Sequence, residues 1–174
     1  TVPMVLSGPS FAADVIKGLP TAVTLAADTL TDAATWAKVL ALPTFRIYQT
    51  DDLRGVELGG SLKNVLAIAC GISDGFGFGE SARAALITRG FAELFKLSIK
   101  MGARPETLMG LAGLGDLLLT CNSQQSRNHS FGYAIGRGAT PAAAIAQCRG
   151  VVEGAATAAI AVALAVTHNT EMPI

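Results

Sequence analysis

Charge of either sign is scarce in this chain and evenly split: 13 Lys and Arg stand against 13 Asp and Glu, together 15% of 174 residues. Zero net charge without a Lys/Arg run argues against a nucleic-acid or anionic-membrane surface, since both need dense phosphate-facing charge. Any anion site must therefore be local. Cysteine is sparse too. Cys70, Cys121 and Cys148 are odd in number, widely spaced and without a CxxC pair, which excludes a disulfide framework and points to a reducing cytoplasm. The two histidines, His129 and His168, are far apart with no acidic or Cys partner at ligand spacing, so neither a metal site nor a Ser-His-acid arrangement is expected. The most apolar run, residues 154–167, is shorter than the roughly 20 residues that span a bilayer and reads as a buried helix. No charged-then-apolar leader is present, and residue 1 is Thr; the chain is expected to be a fragment, stopping on Met172-Pro173-Ile174 without a closing element.

Apolar residues are plentiful, at 51%, enough for one substantial core or for one domain plus part of another. Residues 2–6 read as a short buried strand that runs through Ser7-Gly8-Pro9-Ser10 into a helix near Phe11–Lys17. Such a crossover offers free N–H groups at a helix N-terminus, which suits an anion or a cofactor edge. Gly18 and Pro20 stop the helix, residues 21–26 form a second strand, 28–40 a helix and 45–49 a third strand, a parallel strand–helix–strand arrangement. From Asp51 onward the strand signal disappears. Helices are expected over 52–72, 80–101, 105–111, 117–122, 129–136, 141–147 and 153–167. The chain thus divides into an α/β segment, 1–50, and an all-α domain, 51–174.

One stretch of the helical part is chemically odd. In Leu58-Gly59-Gly60-Ser61-Leu62-Lys63-Asn64-Val65, a lysine sits at the edge of a buried stripe. The adjacent glycines each weaken a helix by roughly 1 kcal/mol relative to alanine, so close approach of a backbone or a ligand is expected to require them. Lys63 is either a catalytic acid or anion anchor, or a snorkelling lysine. Asp116, after Gly113-Leu114-Gly115, is either a helix N-cap or a partner for Lys63 or a substrate hydroxyl. Ser126-Arg127-Asn128 places a hydroxyl, a guanidinium fork and an amide before a helix start, which suits a phosphate; a solvated loop is the plainer alternative. Arg83 and Arg89 are weaker anion ligands, and Arg89 has Glu93 four residues on as a surface pair. Neither Gly75-Phe76-Gly77-Phe78-Gly79 nor Gly113-Leu114-Gly115 has the spacing of a dinucleotide fingerprint, and both read as turns.

Taken together, Gly8-Pro-Ser-Phe-Ala12, Gly59-Gly-Ser-Leu-Lys-Asn64, Leu86-Ile-Thr-Arg-Gly90, Gly113-Leu-Gly-Asp-Leu117, Gln125-Ser-Arg-Asn128 and Val151-Val-Glu-Gly154 resemble the bacterial NAD(P)-dependent glycerol-3-phosphate dehydrogenase family. The match runs over essentially the whole chain, in order and in spacing. The resemblance implies the last strands of a Rossmann-type parallel sheet joined to a helical substrate domain of the 6-phosphogluconate-dehydrogenase C-terminal type. It implies reversible hydride transfer between sn-glycerol 3-phosphate and dihydroxyacetone phosphate, for glycerophospholipid synthesis. Lys63 matches the family's proton-transfer lysine. Gly8, Ser10, Lys63, Asp116, Ser126, Arg127 and Asn128 match substrate contacts, and Ala12, Arg127, Val151 and Glu153 match contacts to NAD or NADP. The main pyrophosphate loop and a second substrate lysine of the family lie outside this chain. A homodimer is compatible with the family; a metal is not implied.

Two alternatives stand beside this. A β-hydroxyacid dehydrogenase relative would carry an asparagine four residues after the lysine, where this chain has Ala67. The second alternative, from another class, is an isolated, non-catalytic helical module for dimerisation or ligand binding.

Overall fold

A computed structural model of the chain describes residues 3–148 and 150–174. Three strands come first, β1 (Met4–Ser7), β2 (Thr21–Ala27) and β3 (Phe45–Thr50), linked by α1 (Ala12–Ile16) and α2 (Leu30–Leu40). β2 and β3 pair in parallel, with Thr21 opposite Phe45, as a strand–helix–strand unit requires. β1 departs from the expected parallel arrangement. It runs antiparallel to β2, with Met4 opposite Ala27 and Ser7 opposite Thr24, so the sheet is mixed in the order β1-β2-β3. The connection explains the difference: a parallel crossover must carry the chain back along the strand, and α1 supplies 5 helical residues, about 7.5 Å of rise. Val2, part of the expected first strand, lies outside the described residues.

Beyond Asp52 every described element is helical: α3 (Leu53–Phe76), α4 (Glu80–Lys100), α5 (Pro105–Leu108), a π-helical turn (Leu111–Gly115), α6 (Asp116–Asn122), α7 (Arg127–Gly136), α8 (Pro141–Gln147) and α9 (Glu153–Thr167). α3 runs past its expected end at 72, through Gly75, to Phe76, where Gly77 closes it in the left-handed region at φ +79°, and Thr140 Oγ1 accepts the Ala143 N–H at 3.3 Å ahead of Pro141. The expected helix over 105–111 stops at Leu108, and Gly113–Gly115, expected as a turn, winds as a π-helical turn that runs straight into α6.

α3 is the axis of the domain. Leu62, Leu66, Ala67 and Cys70 on it pack against Ile87, Leu94 and Leu97 of α4, Leu117 and Cys121 of α6, and Ala161 of α9. α3 is 24 residues long and an 18-residue window of it reaches a mean hydropathy of 1.2, the length and composition of a membrane span, but 44% of that window is buried against its own chain. Cys70 and Cys121 are free thiols, both fully buried. The neighbouring Cys70 thiol, reinforced by burial, pushes the Cys121 thiol far above its ordinary range, so it supplies no nucleophile.

The crossing of α3 and α7 rests on four glycines. A Cβ on Gly71 would overlap the His129 carbonyl oxygen, and one on Gly75 would come within 2.5 Å of the Tyr133 carbonyl. Reciprocally, a Cβ on Gly132 would overlap the Ile68 carbonyl, and one on Gly136 the Ile72 carbonyl. The two backbones therefore touch directly, which brings the N-terminus of α7 to the middle of α3.

The junction between sheet and helices is fixed by one buried carboxylate. Asp52 Oδ1 accepts the Gly55 N–H at 2.9 Å, capping α3, and Oδ2 accepts the Arg104 N–H at 2.9 Å. The Arg104 guanidinium donates to Thr50 Oγ1 at 3.0 Å and pairs with Asp51, which holds the exposed Asp51 carboxyl below the usual carboxylate range. Asp52→Asn turns one acceptor into a donor facing an N–H. The expected result is a loss of about 1–2 kcal/mol, measured as a shift in urea midpoint at unchanged slope.

Candidate active site

Lys63 lies midway along α3, and its ammonium forms an ion pair with Asp116 at the start of α6, 53 residues on. Their side chains are 18% and 5% exposed, respectively, so this lysine is not snorkelling into solvent. Asp116 does not act as an N-cap. Gly115 precedes it with helical backbone angles (φ −61°, ψ −48°) and no side chain caps α6, because the π-helical turn leaves no break in the helix for a cap to close. The carboxylate turns instead towards Lys63. Thr120 Oγ1 donates to the Asp116 carbonyl at 2.6 Å and lies 3.3 Å from its Oδ1. Ser7 Oγ, from the end of β1, donates to Oδ2 at 3.4 Å.

The glycines beside Lys63 have identifiable neighbours. A Cβ on Gly59 would sit 2.5 Å from the Ala112 carbonyl in the π-helical turn, and one on Gly60 would sit 2.9 Å from Ser7 Oγ. Gly59 lets the turn that presents Asp116 lie directly against α3, and Gly60 lets the sheet reach the same point.

A cavity of about 230 Å³ opens over this pair. Ser10, Lys63 and Asp116 line it on one side, and Ser126, Arg127, Asn128 and Glu153 on the other. Ser126 is an N-cap, its Oγ accepting the His129 N–H at 3.3 Å. Asn128 is buried, with Oδ1 accepting the Gly154 N–H at 2.9 Å, which fixes the start of α9 to the start of α7. Arg127 is exposed at the rim and makes no ion pair among the described residues. Lys63 is thus matched by Asp116, whereas the Arg127 guanidinium is the unmatched cation of the described lining.

Other residues singled out in the sequence lie elsewhere. Gly8 is buried beneath the loop, where a Cβ would meet Val23 Cα at 2.8 Å. Ala12 is exposed on α1, and Val151 is 71% exposed just before α9; neither lines the cavity. Arg83 points away from it, onto Asp74 at 2.7 Å. The expected Arg89–Glu93 surface pair does not form: Glu93 is buried and accepts the Ile174 N–H at 3.1 Å, while Arg89 is exposed. Its position on the inner face of α4 carries Glu93 away from solvent. Among the lining residues outside the sequence-derived set, Asn64 and Thr120 make polar contacts to members of it. Asn64 is buried and its Nδ2 reaches Glu153 Oε2 at 3.4 Å; Thr120 braces Asp116. The spacing of Asp116 and Thr120, i and i+4 on one helix, is the local signal that could have found Thr120.

Fold and cleft together give an α/β segment joined to a helical domain that carries a lysine–carboxylate pair in a polar cleft. The family model described as NAD-dependent glycerol-3-phosphate dehydrogenase C-terminus matches residues 52–174, and the chain belongs to that family. Among curated relatives, a glycerol-3-phosphate dehydrogenase [NAD(P)+] of Parvibaculum lavamentivorans is 59% identical over 170 residues, covering 98% of this chain and 51% of that protein. One of the same description from Methylobacterium radiotolerans is 60% identical over the same length and share. The crystal structure of glycerol-3-phosphate dehydrogenase from Coxiella burnetii superposes with a TM-score of 0.94 at 49% identity, over 98% of this chain and 52% of that one. The chain spans about half the length of these relatives.

Proposed function

We propose that this chain is the substrate-binding and proton-transfer part of an NAD(P)-dependent glycerol-3-phosphate dehydrogenase. It interconverts sn-glycerol 3-phosphate and dihydroxyacetone phosphate and supplies glycerophospholipid synthesis in the cytoplasm. Residues 1–50 are the end of a dinucleotide-binding domain and 51–174 the helical substrate domain. The observation that carries the reading is the Lys63–Asp116 pair set in one cavity with the unmatched Arg127. Relatives at 59–60% identity bear the name of this activity, which favours it over a β-hydroxyacid dehydrogenase or a non-catalytic module. Pairing as a homodimer belongs to the same proposal.

Lys63 Nζ gives its proton to the carbonyl oxygen of dihydroxyacetone phosphate as that oxygen becomes an alkoxide, and takes it back in the reverse reaction. Asp116 aims the ammonium, and Thr120 and Ser7 hold Asp116 in place. Arg127 takes the phosphate with its fork, helped by the Ser126 hydroxyl and by Asn128 Nδ2, whose partner oxygen is already committed to Gly154. The rim suits the edge of a dinucleotide: an apolar side chain in Val151, a carboxylate in Glu153 to accept from a hydroxyl or amide, the open turn ahead of Ala12, and the Arg127 guanidinium. NADH or NADPH, when bound, supplies the hydride.

The test is NAD(P)H oxidation with dihydroxyacetone phosphate, for the 174-residue chain and for one extended to the length of its relatives. Turnover in the extended chain is expected; a chain of full length that turns over only unphosphorylated hydroxyacids overturns the reading. Arg127→Ala is expected to raise KM for the phosphorylated substrate about 10- to 100-fold with kcat much less affected, the loss of one charged hydrogen-bonding fork, measured by initial rates.

A further inference from the structure

Away from the cavity, three charged or titratable side chains from three helices meet at one carboxylate oxygen. Asp74 Oδ2, three turns beyond Lys63 on α3, lies 2.7 Å from Arg83 Nη1 of α4 and 2.9 Å from His129 Nε2 of α7. His129 is 3% exposed. Its Nδ1 and the other Asp74 oxygen, Oδ1, are buried without a hydrogen-bond partner among the described residues, so within them the Asp74–His129 contact is the one polar tether of this ring. The mechanism above uses none of the three.

Their place in the fold gives them a use. His129 follows Ser126-Arg127-Asn128 directly, and its backbone N–H is the one that the Ser126 hydroxyl caps. Its carbonyl oxygen packs on Gly71, so the first turn of α7 cannot shift along α3 without overlap. The imidazole fixes the remaining freedom, rotation of that turn about the crossing point, by reaching down α3 to Asp74. Arg83 holds the same Asp74 oxygen from α4, and its other terminal nitrogen lies 3.9 Å from the exposed Glu80 carboxylate. A rotation of the first turn of α7 would move the Arg127 stem and the Asn128 amide away from the cavity.

We infer that His129, Asp74 and Arg83 are positioning residues for the anion cradle: a relay from α4 through α3 that sets the angle at which Ser126, Arg127 and Asn128 meet the substrate phosphate. The inference rests on the proposed function for the identity of the anion, but not for the geometry.

Steady-state kinetics of the full-length protein with dihydroxyacetone phosphate and with unphosphorylated dihydroxyacetone separate positioning from general damage. Asp74→Asn and His129→Leu are expected to raise KM for the phosphorylated substrate about tenfold with kcat held within about threefold, and to leave kcat/KM for dihydroxyacetone unchanged. His129→Gln, which keeps a donor near the place of Nε2, is expected to recover most of the loss. Arg83→Gln, at the partly exposed outer end, is the milder variant should the others not fold, with an expected KM rise of about threefold. An unchanged KM, or an equal fall in kcat/KM for both substrates, overturns the inference. Calorimetric binding of inorganic phosphate reads the cradle without turnover. A Kd about tenfold weaker in Asp74→Asn supports the relay even if the full-length protein reduces neither ketone, a result that would sink the proposed reaction alone; equal Kd values, or no binding to the unsubstituted protein, overturn the relay.

Discussion

Lys63→Ala is expected to lower kcat for dihydroxyacetone phosphate reduction about 10²- to 10⁴-fold in the full-length protein, the range for losing a positioned proton donor, or roughly 3–5 kcal/mol of barrier. The substitution also strips Asp116 of its cation and leaves a buried carboxylate, so a lower stability is expected alongside. Lys63→Arg separates the two effects. A guanidinium can still pair with Asp116 and preserve the fold, but it does not give up a proton in a protein, so stability should return while turnover does not. The reverse reaction needs the same group without its proton. Activity that survives Lys63→Ala within tenfold would remove Lys63 from the chemistry.

Gly71→Ala carries the largest expected effect on stability. By helix propensity alone the change would favour the fold by about 1 kcal/mol. At this crossing the added methyl meets the backbone carbonyl of His129, which no rotamer change can clear, and α3 and α7 must separate. Overpacking of this kind costs 1–3 kcal/mol where side chains can yield and more where backbone is struck, so a net loss of about 3 kcal/mol is expected. For a protein of this size that is a fall in Tm of roughly 6–12 °C, read by calorimetry. Gly115→Ala is the control: its backbone is ordinary helix, and a Cβ there has no neighbour closer than 3.6 Å, so a change of less than about 1 kcal/mol is expected. Equal Tm values for the two variants would show that the crossing does not depend on glycine.

Much of the fold could be read directly. Pro105 and Thr140-Pro141 mark helix starts where the backbone does turn, because caps and breakers act over three or four residues. The π-helical turn at Leu111–Gly115 was not legible, since two glycines two residues apart are compatible with several backbones. Nor was the direction of β1: the alternation of a strand says which face it buries and nothing about which way its neighbour runs.

The site divides along the same line. By itself the sequence determined which residue types were present and their local order: a lysine among glycines, an acid after Gly-x-Gly, and Ser-Arg-Asn at a helix start, because motif and helix signals reside in near neighbours. Only the tertiary structure decided what each does there. It turned Asp116 from a cap into the partner of Lys63 across 53 residues, brought Ser7 to it across 109, and set Asn64 against Glu153 across 89. It also gave Gly71 and Gly132 their reason, as the places where two backbones touch. Those relations depend on how α3, α6 and α7 cross. The crossing is the outcome of packing over the whole domain, and no window of sequence contains it.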